Sequence, residues 1–338
     1  AEAPYFFDLP RPISMGGAYT AVADDEGAIL YNPAGLAEVK ERKITLAGSI
    51  IQYDLINSEF YNNIPLDYTN GGYLINYIQN KTGFQIHYKE EGDKVYYTKV
   101  DKYVRLLKRA ELIGAYGMEI LPKLEFGITG KFNYLELDTL DEINPPVLKD
   151  KASGAVDVGL KYFLDEDKKI SIGILGQNLI SIHGNYFSQY IIVTYDGLLM
   201  LTSRIPRSVN VGVSYKPMNS VIISVDIHNI VEDKINYYGG PQFNFSNHEI
   251  YIFKRNYHLG CEFAPVNNLS VRLGGFIDSS SLGNYWNDFK NQYTLAMGCG
   301  YQLNDFRLDF AISNDFRKLP FWNINSPFQY YASVSYAI

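Results

Sequence analysis

The feature that most constrains this chain is a rhythm. From Lys43 onward, fourteen runs of alternating apolar and polar residues follow one another, and the connections between them are by turns long and short. The runs lie at 43–53, 71–79, 82–90, 109–120, 124–138, 153–164, 169–180, 205–216, 220–231, 257–265, 269–278, 292–303, 306–315 and 327–338. Six connections have two to four residues, such as Asn80-Lys81 and Asn304-Asp305. Seven are long, among them 91–108, 139–152, 181–204, 232–256 and 279–291. A soluble sandwich has no reason to keep this order. An even-stranded membrane barrel does, because its turns on one side are short and its loops on the other are long.

Within the runs, one face is apolar and the other carries Gly, Ser and charges. Val221, Ile223, Val225 and Ile227 alternate with Ser224, Asp226 and His228, and Leu308, Phe310 and Ile312 alternate with Arg307, Asp309 and Ser313. Alternation does not say which face is inside. A sandwich packs its apolar face on a second sheet, whereas a barrel turns that face to lipid and lines a lumen with the other. On the barrel reading the lumen is lined by Glu125, Lys131, Asp157, Lys161, Asp226, His228, Glu262, Arg272, Arg307 and Asp309. The final run sets Tyr330, Ala332, Val334, Tyr336 and Ile338 on one face and is expected to close against the first, which removes both sheet edges.

Composition enters as a check. Tyrosine (29) and phenylalanine (19) are abundant among the 338 residues, as suits strands and membrane boundaries. A mean hydropathy of −0.15 fits a chain whose lipid-facing residues occupy only every second position. No apolar run reaches the roughly 18 residues of a membrane helix. The net charge of −7 gives no footprint for nucleic acid. The start at Ala1-Glu2-Ala3 carries no leader, so a signal peptide is expected to have been removed or never present.

Catalytic chemistry finds no foothold. Cys261 and Cys299 make neither a disulfide framework nor a zinc site, and the five histidines have no metal-ligand spacing and no serine-nucleophile motif. No metal or cofactor is expected, and a soluble sandwich or propeller enzyme is the weakest reading. Asn178-Leu179-Ile180 and Asn229-Ile230-Val231 end two runs alike and read as a repeated structural device. Aromatic residues in the connections, Tyr186, Phe187, Tyr190, Tyr237 and Tyr238, read as an entrance for an apolar ligand, a partner surface or an aromatic girdle.

One stretch lacks the rhythm. Residues 15–39 read MGGAYTAVADDEGAILYNPAGLAEV, with Gly16 and Gly17 at the start, the acidic Asp24, Asp25 and Glu26 in the middle, and Asn32, Pro33, Ala34 and Gly35 near the end. The glycines are not a phosphate loop, since no Lys-Ser or Lys-Thr follows. The acidic trio has no calcium-loop spacing and reads as a solvated or lumen-paired turn. Pro33 pushes Asn32 to extended geometry, and Gly35 is free to take a positive φ, so a tight turn is expected.

This stretch resembles the N-terminal segment of the FadL-like outer-membrane family. IPRSVNVGVSYKP at 205–217, YHLGCEFAPVNNLSVRLGGF at 257–276 and LDFAI at 308–312 are similar to the PorV branch of that group. The resemblance implies an all-β fold, a 14-stranded antiparallel transmembrane barrel formed by residues 43–338, with residues 1–42 as a hatch inside the lumen. Gly16, Gly17, Asp24, Asp25, Asn32, Pro33, Ala34 and Gly35 are carried over as hatch residues. It further implies a bacterial outer membrane, contact with its lipid, and passive passage of small hydrophobic molecules or lipid through a hatch-gated lumen or a lateral opening. The PorV-like alternative is a docking barrel that binds a protein partner at its extracellular loops and transports nothing.

Overall fold

A computed structural model describes residues 9–55, 66–97, 101–140, 151–183, 191–193, 199–201, 207–231, 233–237, 248–253, 255–278, 292–315 and 328–338. The first seven strands are β1 (Lys43–Leu55), β2 (Leu66–Gln79), β3 (Thr82–Tyr97), β4 (Asp101–Leu121), β5 (Leu124–Leu140), β6 (Lys151–Phe163) and β7 (Ile170–His183). After a small hairpin of β8 (Ile191–Val193) and β9 (Leu199–Leu201) come β10 (Ser208–Met218) and β11 (Val221–His228). A second hairpin, β12 (Asp233–Tyr237) with β13 (His248–Phe253), precedes β14 (Asn256–Val266), β15 (Leu269–Asp278), β16 (Gln292–Leu303), β17 (Phe306–Asp315) and β18 (Phe328–Ala337).

Apart from the two hairpins, fourteen strands form one closed antiparallel ring, with β1 paired to β18 from Lys43–Ala337 to Ile51–Gln329. The sequence expectation of fourteen strands and closure of the last on the first is met. The side chains answer what alternation left open, because the buried face is the polar one. Thr45, Gln85, Asp157, Lys161, Asp226 and Arg272 are buried, while Leu112, Leu259, Leu273 and Phe310 on the other face are exposed. A sheet protein folded in water has the opposite arrangement.

Two details depart from the sequence expectation. The stretch 91–108 was expected as a loop, yet β3 and β4 stay paired out to Tyr97–Asp101. Its aromatic and β-branched residues, Val95, Tyr96, Tyr97, Tyr103 and Val104, favour strand, and a continued ladder satisfies each backbone N–H and C=O without water. The connections 181–204 and 232–256 likewise contain the two short hairpins. The loop aromatics Tyr186, Phe187, Tyr190 and Tyr238, and the side chain of Tyr237, lie outside the described residues.

The wall is uneven. β4 has 21 residues and β11 only 8. The β7–β10 ladder ends at the rung Gln177–Ser208, whereas the β6–β7 ladder continues to Ser153–His183. Between them β7 bulges, its pairing with β6 stepping from Val158–Gly176 to Val156–Ile180. Asn178 sits in this bulge at φ 53, and Asn229, just past β11, adopts φ 55. Asparagine tolerates the left-handed region better than other residues with a Cβ, which explains the shared Asn; the two sites are not alike in ending a strand, since β7 continues through its bulge to His183.

The N-terminal segment carries α1 (Pro10–Ser14), α2 (Ala28–Tyr31) and the 3₁₀ turn η1 (Pro33–Glu38). α1 packs on β15, β16, β17 and β18, and η1 packs on β4, β5 and β6. Met15, Tyr19, Val22, Ile29 and Leu36 from the segment share a buried cluster with Ile78, Ile113 and Ile222 from the strands. The apolar core of this molecule therefore forms where the segment meets the inner wall, since the strands spend their own large apolar residues on the outer face.

Candidate functional site: the charged interior around the N-terminal segment

The segment's backbone must find partners wherever it is cut off from water. The inner wall supplies them. Asp226 Oδ2 accepts from the backbone N–H groups of Tyr19 (2.9 Å) and Thr20 (2.8 Å). Lys161 Nζ donates to Val22 O at 2.9 Å, Thr129 Oγ1 to Ile29 O at 3.1 Å, and Ser171 Oγ to Ala21 O at 3.0 Å. Asn32 Nδ2 bridges segment and wall, donating to Thr20 O (2.8 Å) and Leu160 O (3.0 Å), while its Oδ1 caps η1 by accepting from Ala34 N.

Where backbone meets backbone the wall uses glycine. A Cβ on Gly127 would lie 2.1 Å from Pro33 C, and one on Gly274 would lie 2.2 Å from Gly16 N. Gly173 and Gly260 meet the segment in the same way, and Gly159 makes room for the side chain of Asn32. Within the segment, Gly16 and Gly17 take φ of 62° and 75°, which the left-handed region reserves largely for glycine. Gly35 corrects the sequence expectation. It has no positive φ and lies within η1; it is glycine because a Cβ would stand 1.5 Å from Ala23 O.

Charges then tie the segment across the bore. Arg11 donates to Asp24 (2.6 Å) and Asp25 (2.8 Å) and to Glu262 on β14 through Nε (2.9 Å) and Nη2 (3.0 Å). Glu262 also accepts from Arg272 Nε at 2.5 Å, Arg272 Nη1 reaches Asp309 at 2.7 Å, and Asp309 pairs with Arg307 Nε at 2.7 Å. Lys216 approaches Asp24 at 3.3 Å, and Lys43 pairs with Glu26 at 2.5 Å. The acidic trio is thus paired inside the ring rather than solvated.

The remaining residues named from the sequence fall into three further groups. Lys161 pairs with Glu38 at 2.7 Å, and Lys168 in the turn before β7 lies 3.2 Å from Glu38 and 3.7 Å from the buried Glu125. Lys131 pairs with Asp157, whose Oδ1 accepts from Asn178 N at 2.8 Å and so holds the β7 bulge. His228 Nε2 lies 3.3 Å from Asp226, and its ring lies tilted, 3.8 Å from that of His258, which donates from Nδ1 to Gly16 O at 2.7 Å.

Sequence reasoning missed Arg11, the hub of the first group. The signal was present, because Arg11 is the sole basic residue between 9 and 39, a span holding four carboxylates. Burial works against ionised Asp24 and Glu38, but the cations overcome it. Arg11, then Lys216 and Lys161, hold the Asp24 carboxyl well below the usual carboxylate range, and Lys161 with Lys168 holds that of Glu38 below it. A depressed folded-state pKa contributes stability that is complete above the ordinary value near ~4 and is lost as pH falls through the lowered value. The segment's resistance to added protease should therefore stay flat from pH 8 to pH 5 and fall only in stronger acid. A loss of resistance between pH 7 and 5 would contradict this assignment.

The class that emerges is a closed 14-stranded barrel, polar within and apolar without, with its N-terminal segment packed into the interior. No protein-family profile and no curated protein matches the chain by sequence. Solved structures do match by fold, with 98% of this chain aligned to 99% of a TodX monoaromatic hydrocarbon channel deltaS2 mutant at TM-score 0.67 and 15% identity. A CymD monoaromatic hydrocarbon channel aligns over 97% of this chain and 96% of its own at TM-score 0.60 and 16% identity. A Pseudomonas aeruginosa FadL homologue aligns over 94% of this chain and 95% of its own at TM-score 0.61 and 10% identity. The fold is that of the FadL-like barrels.

Proposed function

We propose that the protein is a FadL-like channel of the bacterial outer membrane that lets small hydrophobic molecules pass without an energy source. In this reading residues 43–338 span the bilayer and residues 1–42 form the hatch. The observation that carries it is the inside-out ring, because an outer face of exposed Leu, Ile, Val and Phe side chains is stable only against lipid. The solved channels of the same fold include hydrocarbon channels, which supports an apolar cargo.

The segment lies across the bore, so an apolar cargo has better reason to leave sideways than to cross a charged interior. The seam above the Gln177–Ser208 rung, beside the Asn178 bulge, is where the β7–β10 ladder gives out among the described residues. Ile180 and Ile182 on β7 line its outer flank at 61% and 70% exposure.

The test uses a background with Cys261 and Cys299 replaced by Ala. Ile180→Cys, carrying a bulky maleimide, should cut toluene uptake into reconstituted vesicles several-fold. The same label on Leu273→Cys, equally outward on β15, should leave uptake unchanged. Equal uptake with both labels would rule out the seam. Absence of uptake in the unlabelled protein, together with a stable protein partner recovered on its loops, would replace the channel reading with the docking one.

A further inference from the structure

Between the segment and the tall side of the wall lies a polar pair that no described residue bonds. Asn76 on β2 and Gln85 on β3 are direct cross-strand partners and both face inward, with 0% and 1% exposure. All four polar atoms of their carboxamides are buried, and none has a hydrogen-bond partner among the described residues. Directly opposed residues in an antiparallel pair are close enough to bond each other, yet these two do not. Burying an amide without a partner costs free energy, so two side by side call for an occupant.

The surroundings say what kind. On one side stand Leu9, Ala47 and Leu74, and on the other Ile29, Ile78 and Ile113. Ile29 is pressed close, since a Cβ on Gly83, two residues before Gln85, would meet its Cγ1 at 2.6 Å. The amides thus form a narrow hydrogen-bonding strip between two apolar patches. The neighbouring acidic side chains are Glu26, bonded at 3.3 Å by Thr45, the cross-strand partner of Asn76, and Glu111, which lies 3.3 Å from His87, two residues beyond Gln85. On the adjoining strand β1, Lys43 is engaged by Glu26. The pair itself carries no charge to hold an anionic headgroup.

We infer that Asn76 and Gln85 form a lumenal subsite for the hydroxyl or carbonyl oxygen of a neutral compound with an apolar body, such as an alcohol, phenol or ketone. The carboxamide N–H groups donate to that oxygen, the carboxamide oxygens accept from a hydroxyl, and the flanking apolar residues hold the body. This inference rests on the reading of the protein as a channel for apolar cargo and narrows that cargo to oxygen-bearing neutral molecules.

The test is equilibrium dialysis of the full chain in nanodiscs, with empty discs as the blank and labelled benzyl alcohol, toluene and benzoate as probes. Benzyl alcohol should be retained about tenfold more tightly than toluene, the worth of one or two neutral hydrogen bonds, and benzoate should gain nothing. The double variant N76L/Q85L should lose the preference for benzyl alcohol while retaining toluene as before. Gln85→Met, which conserves volume, should halve or better the preference and guards against a folding failure of the double variant. Equal retention of toluene and benzyl alcohol, preferential retention of benzoate, or a preference that survives both variants overturns the subsite. If the preference holds while vesicle uptake fails, the channel reading falls and the subsite stands. If uptake occurs without the preference, the reverse is true.

Discussion

Replacing Arg11 with alanine should cost the protein about 3–5 kcal/mol, the effect expected when one partner of a buried ionic network is removed and the others stay charged. Three carboxylates, Asp24, Asp25 and Glu262, converge on this guanidinium, so the variant leaves like charges facing one another in the interior. Because Asp24 and Asp25 belong to the segment and Glu262 to β14, repulsion acts across the junction and should push the segment off the wall. The ring should keep its fourteen-strand ladder. The change appears instead as raised basal conductance and as cleavage of the segment by added protease. Arg11→Lys keeps one positive charge but not the fork that reaches three acids, and should fall between wild type and alanine. Wild-type conductance and protease resistance in the alanine variant would remove Arg11 from its role as the tie.

The second large effect is expected at Gly35. A methyl group there would stand 1.5 Å from Ala23 O and 2.7 Å from Ala23 C, and neither atom is the end of a flexible side chain. Overpacking against rigid backbone costs about 1–3 kcal/mol when the surroundings can shift, and more when they cannot. Gly35→Ala should therefore unseat η1, release the Asn32 bridge to Leu160 and Thr20, and lower the thermal midpoint of the segment's protection against hydrogen exchange. Gly48→Ala is the control, because its nearest contact, Gly72 O, is 3.2 Å from an added Cβ. Equal protection in the two variants would show that the close approach at Gly35 is not a constraint.

The ring was legible because a strand's two faces live in two different media, and a period of two survives in the sequence wherever that is so. Turn residues such as Asn80-Lys81, both at positive φ, marked its short side. What could not be read locally is whatever depends on residues distant in the chain. Arg11 and Glu262 are 251 positions apart, and no pattern within a run announces that they meet. Glycines such as Gly127 and Gly274 look like weak strand residues until the segment's backbone is seen against them. The extension of β3 and β4 was hidden for another reason: strongly charged residues around 91–108 mask the alternation that the backbone nevertheless uses.

The uneven wall has a consequence for the bilayer itself. Tilted by about 45°, the 21 residues of β4 climb roughly 50 Å and the 8 of β11 roughly 19 Å, against an apolar band about 25 Å tall. In a membrane, such a mismatch is met by lipid as well as by protein, and acyl chains beside the low strands must shorten their span. The protein would then thin the leaflet on one side only, in the sector that begins where β7 gives way to β10, and a solute leaving there would enter the most disordered lipid the barrel touches.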